Sequence, residues 1–295
     1  MRPDTILVNV APGETRVALL AKGKVVQVLF ERDDDDLVEG AVFAGRVSAV
    51  NRDLNAAFVD IGAPEPGFLA AADARPPGLE RIKSVTQVAT EGDKILVQAD
   101  REAMDGKGPR LTCRPVLAGR FVILYSGGEG LKFSRFMAPA ERKELAVLEE
   151  ILPVDCGAGF TPAAGGADIK DVTADLARLL DLRAALEDAF DEVAKAPDPL
   201  LAPPDAVERA LALAAPRCRL ISDDPDTARE IAALAPGLAA EAWPGPKPLF
   251  DTFGVEEALE SALEPAVTLP SGGRIIITET PALTAIDVDT GRTQS

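Results

Sequence analysis

Asp287 and Asp289 stand two residues apart at the end of an apolar run in Leu269–Arg292, LPSGGRIIITETPALTAIDVDTGR. On a strand, that spacing sends both side chains to the same face. Hard oxygen ligands held in this way suit Mg²⁺, which is commonly bound through one or two carboxylates with water and phosphate completing the shell. The elements that must position them are a turn at Gly272 and Gly273, a buried β-branched strand at Ile275–Ile277, a short link carrying Glu279 and a second apolar strand. Ser295 follows Asp289 by six residues, so a site lacking its closing elements is expected. Taken alone, an Asp-x-Asp pair is as readily a solvated strand end.

Composition narrows the chemistry. Histidine is absent from the 295 residues, which excludes Ser-His-Asp and Cys-His catalysis, His-ligated zinc and imidazole bases. Only one tyrosine is present, Tyr125, so carboxylates, a metal or lysine must carry any reaction. The apolar fraction is 47% and mean hydropathy is +0.08. No apolar run approaches the roughly 18 residues that read as a membrane span. Met1-Arg2-Pro3-Asp4 leads directly into strand-like Ile6-Leu7-Val8 without a signal peptide. Cys113, Cys156 and Cys218 are scattered and odd in number, so buried hydrophobes in a reducing, cytoplasmic setting are expected.

A net charge of −17 argues against a broad electrostatic grip on nucleic acid, though not against a local one. Residues 37–118 hold ten Lys/Arg against eleven Asp/Glu, a net of −1, so −16 lies elsewhere. The same stretch has short strands and frequent Gly and Pro: VFAGRVSAVN, AAFVDIG, PGFLAAAD, DKILVQAD and RLTCRPVLAG are the pieces of a small closed barrel. Before it, residues 5–31 form a β-meander with turns at Pro12-Gly13 and Lys22-Gly23-Lys24, followed by an acidic connector at Asp33–Asp36. After it come a strand at Phe121–Leu124, a helix near 138–151 and a long helix over 168–195 that the Pro-rich APDPLLAPPD stops. Helices and strands then alternate, an α/β layer to which the meander adds its strands.

Within the barrel, Phe58 and Phe68 lie ten residues apart in a chain that is only 4% aromatic. Aromatics on such a barrel stack on unpaired bases, although a Phe in a strand is more often core. Lys107, between glycines in DGKGPRL, is placed to meet a phosphate or is simply a surface lysine.

The order of these pieces carries a resemblance. GRVSAVNRDLNAAFVDIGAPEPGFLAAAD closely resembles the S1-type barrel of the ribonuclease E/G family, and GKGPRLTCRPVLAGRFVIL resembles that family's exit from the barrel. KFSRFM is similar to its serine-arginine motif, with Phe136 at a usual arginine, and ILPVDCGAGFTPAAGGAD sits at its sensor for the RNA 5′ end. PLFDTFGVEEALESAL with LPSGGRIIITETPALTAIDVDTGR resembles the entry to the catalytic subdomain.

The resemblance implies an α+β multi-subdomain fold: an RNase H-like α/β layer over residues 1–36 and 168–268 and an inserted S1-type OB barrel over 37–118. A 5′-sensor-like region over 119–167 and the truncated start of a DNase I-like catalytic subdomain over 269–295 complete it. It implies an endoribonuclease that hydrolyses single-stranded RNA with Mg²⁺, Asp287 being the principal metal ligand and Asp289, where the family carries a supporting asparagine, a second carboxylate. Phe58, Phe68, Arg101 and Lys107 would contact RNA. Gly119 and Ile123 would offer backbone groups to a 5′-phosphate, while Thr161 and Pro162 replace the arginine-threonine pair that clamps it. The family's partner aspartate lies on a later strand, and the cysteine motif of its dimer-bridging zinc is missing, so no zinc link is expected, with a homo-oligomer possible only in a fuller protein. Two other readings stay open: a non-catalytic single-stranded RNA-binding module, and a generic S1-barrel translation factor that leaves Leu269–Arg292 unexplained.

Overall fold

The opening alternation forms three antiparallel strands, β1 (Thr5–Ala11), β2 (Glu14–Ala21) and β3 (Lys24–Arg32), as the meander pattern requires. This is a computed structural model, and it describes residues 2–33, 39–79, 82–101, 107–133, 137–235, 238–280 and 283–291. The acidic run past Asp33, Gly106, Ser134–Phe136 of KFSRFM and Arg292 lie outside the described residues. Two compact units divide the chain, Met1–Ala242 and Trp243–Ser295.

Next come β4 (Val42–Asn51), β5 (Ala56–Asp60), β6 (Gly67–Ala70), β7 (Lys94–Arg101) and β8 (Arg110–Thr112). They pair in the order β4-β5-β6-β8-β7, and β4 pairs again with β7, which closes a five-strand barrel consistent with an OB-fold. Alternate residues fill its interior, among them Ala57, Val59, Leu69, Val97 and Leu111.

The stretch RLTCRPVLAG, expected to belong wholly to the barrel, divides at Pro115. Strand β8 closes the barrel, whereas β9 (Val116–Ala118) pairs with β10 (Val122–Ser126) in a second sheet. Proline offers no N–H with which to continue a ladder. That sheet is completed by β11 (Gly130–Lys132) and, after helix α1 (Pro139–Leu145), by β12 (Cys156–Phe160).

Helix α2 (Ile169–Glu192) packs Val172, Leu176, Leu179 and Leu186 into the core of this sheet. Asp168 caps its first turn by accepting from the Lys170 N–H at 2.9 Å. At its other end, Lys94 of β7 donates to the carbonyls of Phe190 and Val193 at 2.6 and 2.9 Å. An ammonium there satisfies carbonyls that lack intrahelical partners and complements the helix dipole, tying α2 to the barrel.

The Pro-rich segment, expected only as the stop of that helix, also contains β13 (Asp198–Leu201), antiparallel to β4. Proline is tolerated because an edge strand need not donate every N–H. Helix α3 (Ala206–Leu213), β14 (Arg219–Ser222), α4 (Pro225–Leu234) and β15 (Ala240–Ala242) follow. Both new strands join in parallel to give a five-strand sheet, β15-β14-β1-β2-β3, with Ile6, Val8, Leu19, Leu220 and Ile231 in its core.

The second unit holds α5 (Leu249–Thr252), α6 (Val255–Leu263) and an antiparallel sheet of β16 (Ala266–Thr268), β17 (Arg274–Glu279) and β18 (Thr284–Asp289). The Ile275–Ile277 run was expected to be buried, and it is not. Register places Ile275, Ile277, Ile286 and Val288 on one face, where Ile277 is 44% and Ile286 63% exposed. Three strands bury too little area to cover both faces of a sheet.

All three cysteines are free and buried, as expected of small hydrophobes, and burial pushes the Cys113 thiol up to about 12. Among the described residues no helix is long and apolar enough to cross a membrane.

Candidate functional site

Strand alternation decides the orientation of the two barrel phenylalanines. Their neighbours Ala57, Val59 and Leu69 point into the core, so Phe58 and Phe68 point outward and are half-buried. The two are direct cross-strand partners on β5 and β6, with ring centroids 5.9 Å apart and planes at 69°. Across β6, Phe68 is in register with Arg110 of β8, and Arg110 with Arg101 of β7. One face of the barrel therefore carries the row Phe58, Phe68, Arg110, Arg101.

Lys107 lies in the loop that leads into Arg110 of this row. A Cβ on Gly108 would sit 2.0 Å from the Pro66 carbonyl oxygen, so glycine alone lets the loop lie against the β5–β6 turn. Phe68 then donates its N–H to the Pro109 carbonyl at 2.8 Å, holding the exposed Lys107 beside the aromatic pair.

Arg110 was missed in the sequence; the signal was an arginine opening a strand directly after the Gly-Pro of the loop. Its guanidinium donates to one oxygen of Asp73 at 2.7 and 3.2 Å, which raises its pKa above the ordinary arginine value. The ion pair is exposed and holds the side chain in place more than it stabilises the fold.

A second site forms where β9, β10 and the start of α2 meet. Gly119, Ile123, Thr161 and Pro162 all line one pocket of about 570 Å³. Their backbone and side-chain donors are mostly engaged within the protein: the Gly119 N–H donates to the Val122 carbonyl at 2.8 Å, and the Thr161 hydroxyl to the Arg120 carbonyl at 2.6 Å. Pro162 has no N–H.

The group that organises this turn is Asp175 of α2, which accepts from the N–H groups of Phe121 and Val122 at 2.8 and 3.0 Å. A Cβ at Gly119 would come within 2.4 Å of that carboxylate, so glycine admits it. Positive charge enters the pocket from elsewhere, through Arg120, Arg178 and Arg209. Arg178 is paired with Asp175 at 3.0 Å, and burial pulls the Arg120 guanidinium below its ordinary value. No spacing in the sequence announced Asp175 or these arginines, because they come from separate helices and a loop.

Asp287 and Asp289 share a face of β18, opposite Ile276 and Arg274 of β17, and both are exposed. Asp289 is engaged on both oxygens: Arg274 Nε lies 3.3 Å from one, and the Gly291 N–H donates to the other at 3.0 Å. Asp287 has no hydrogen bond or ion pair among the described residues. No group of three or more acidic or cysteine side chains able to hold a metal converges among them. Asp287 thus leaves its carboxylate exposed at the strand end, which Asp289 braces through Arg274 and Gly291.

The sequence profile described as the Ribonuclease E/G family matches residues 116–295. "Ribonuclease G" of Salmonella typhimurium (strain SL1344) is 31% identical across 97% of this chain and 62% of that protein. "Ribonuclease G" of Escherichia coli (strain K12) is 30% identical over the same shares. "Ribonuclease E" of Nostoc sp. is 32% identical across 85% of this chain and 39% of its own length. The chain thus spans about 62% of the length of the Ribonuclease G relatives.

Proposed function

Because the chain belongs to the ribonuclease E/G family, we propose that it acts as an endoribonuclease in RNA processing or decay, binding single-stranded RNA on the barrel and cleaving it by Mg²⁺-assisted hydrolysis. The observation that carries the reading is the outward row Phe58, Phe68, Arg110, Arg101, with the exposed Lys107 in the loop before Arg110. It sets a stacking surface on the strand 2–3 face that OB barrels use for oligonucleotides beside two cations on the neighbouring strands. In a chain of net charge −17, such a local interface favours RNA that offers unpaired bases over duplex held by phosphates alone.

The mixed order β15-β14-β1-β2-β3 supports an RNase H-like layer of β1–β3 with residues 206–242. This is narrower than the expected 1–36 and 168–268, because α2 packs on the β9–β12 sheet, β13 pairs with the barrel and residues from Trp243 belong to the second unit. The β16–β18 sheet supports a DNase I-like start. The barrel reading applies to β4–β8, which end before Pro115, and the 5′-sensor-like reading to the β9–β12 sheet that begins at Val116. Asp287 orients a metal-binding oxygen toward solvent, and Asp289 fixes the strand end through Arg274 and Gly291. A bound magnesium ion supplies charge neutralisation at the phosphate and a more acidic water.

The test is cleavage of an A/U-rich single-stranded RNA with and without Mg²⁺, beside an Asp287→Ala variant. Cutting is expected to require the metal and to fall by about 10²-fold or more in the variant, a loss of several kcal/mol of metal-dependent stabilisation. RNA binding with no Mg²⁺-dependent cutting would favour the alternative, a non-catalytic RNA-binding module. The engagement of both Asp289 oxygens and the lack of a third converging acid among the described residues support that alternative.

A 5′-monophosphate is expected to confer no advantage. Thr161 and Pro162 offer no free donor, and Arg178 is already paired with Asp175. Comparing 5′-phosphate and 5′-hydroxyl oligonucleotides of one sequence measures this; a preference of about tenfold or more, 1.4 kcal/mol, would overturn it.

A further inference from the structure

We propose that a basic pocket at the far end of β6, formed by Arg75, Lys83 and Arg114, holds a backbone phosphate of the RNA strand next to the bases stacked on Phe58 and Phe68. The inference rests on the RNA-binding reading of the barrel and extends it to a second point of attachment.

The pocket has a volume of about 490 Å³, and among the described residues its lining carries three cations and no carboxylate. That is unusual in a chain with 48 acidic residues against 31 basic ones. Charges of one sign gathered in a concave site raise the local concentration of the opposite ion. Arg75 and Lys83 make no ion pair or hydrogen bond through their side chains among the described residues. Arg114 is the most constrained of the three. Its Nη2 donates to the Ala72 carbonyl at 3.4 Å and lies 4.0 Å from Asp73, whose closer partner is Arg110 at 2.7 Å. Its Nε is buried with no hydrogen-bond partner among the described residues.

The pocket is built rather than accidental. Asn55, at φ 50°, holds three segments together. Its carbonyl accepts from the Ala71 N–H at 2.9 Å, its amide donates to the Lys83 carbonyl at 3.1 Å, and its side-chain oxygen accepts from the Val85 N–H at 2.9 Å. Asn tolerates the left-handed conformation that this requires. The β4–β5 turn, the end of β6 and the segment before Val85 are thereby fixed around the cations.

Position completes the case. Strand β6 ends at Ala70, two residues or about 7 Å beyond Phe68, and Ala71 and Ala72 line the pocket. A strand of RNA stacked on the aromatic pair and running along β6 delivers its next phosphates there.

The test uses the full chain and labelled oligouridylates of about 4 and about 16 nucleotides, the span of site sizes for one OB barrel. For the Arg75→Gln/Lys83→Gln variant, affinity is expected to fall for the short oligonucleotide as well as the long one, because the pocket lies only about 7 Å beyond Phe68. For the long one, the slope of log K against log salt is expected to become shallower by about 0.7 for each phosphate that the variant no longer neutralises. Lys83→Gln alone, an exposed substitution that leaves the fold intact, should give about half the change of slope. An unchanged slope in both variants, with Phe58→Ala/Phe68→Ala abolishing binding, would overturn this inference and leave the barrel reading standing. If the unsubstituted chain binds neither oligonucleotide, the barrel reading fails and takes this one with it. Selective displacement by inorganic phosphate at matched ionic strength would assign the pocket to a free anion and overturn it as well.

Discussion

Phe58→Ala/Phe68→Ala is expected to lower affinity for single-stranded RNA by at least about 30-fold while leaving the chain folded. Each base stack on an aromatic ring is worth about 1–3 kcal/mol, and two stacks reach about 2 kcal/mol even at the low end. The rings touch at a centroid distance of 5.9 Å, so the single substitutions will not add. Removing one frees the other to reorient, and the double variant is the clean comparison. The fold is spared because both side chains lie outside the barrel and only half-buried. A core substitution such as Leu69→Ala deletes a fully buried side chain and costs about 2–5 kcal/mol of stability. Fluorescence anisotropy with an oligouridylate, read beside thermal unfolding, separates the effects. Affinity within twofold of the unsubstituted chain, at unchanged melting temperature, would end the claim that this face is the RNA platform.

Asp175→Ala should produce the largest loss of stability outside the apolar core. The carboxylate is 9% exposed and satisfies the N–H groups of Phe121 and Val122. Alanine orphans both donors in a buried turn at about 1–3 kcal/mol each, and Arg178 is left without its partner. A combined loss of about 2–6 kcal/mol is a large part of the 5–15 kcal/mol that a typical protein of this kind holds. Asp175→Asn is the informative companion. Both N–H groups bond to the same oxygen, Oδ2, and an amide oxygen placed there keeps both bonds, so its loss should be clearly smaller. Urea unfolding measures the pair; a shift of midpoint at constant slope isolates stability from changes in the denatured state. Equal losses for Ala and Asn would mean that charge, and not hydrogen bonding, holds the turn.

Much of the fold was legible because it is written between near neighbours. Alternation and turn residues placed β1 to β3 and β4 to β8, and a 3.6-residue apolar period with a Pro-rich stop placed α2. A strand within the Pro-rich 198–201 was not legible, because only its partner β4 makes that backbone extended. The exposure of Ile277 was hidden for a similar reason: burial depends on what covers a face, and β-branched sequence reports only the preference for a strand.

Residue types and their order were enough to settle the chemical inventory: no imidazole, a barrel almost neutral within an acidic chain, two outward-capable phenylalanines, an Asp-x-Asp strand end and the family that this order marks. Which of these groups meet was a matter for folding in three dimensions. Packing set Arg110 and Arg101 in line with the phenylalanines, admitted Asp175 beside Gly119, locked Asp289 to Arg274, and gathered Arg75, Lys83 and Arg114 around Asn55. Backbone periodicity acts over a few residues and is readable along the chain. Strand register and loop closure join residues dozens of positions apart, and those pairings exist only once the core has packed.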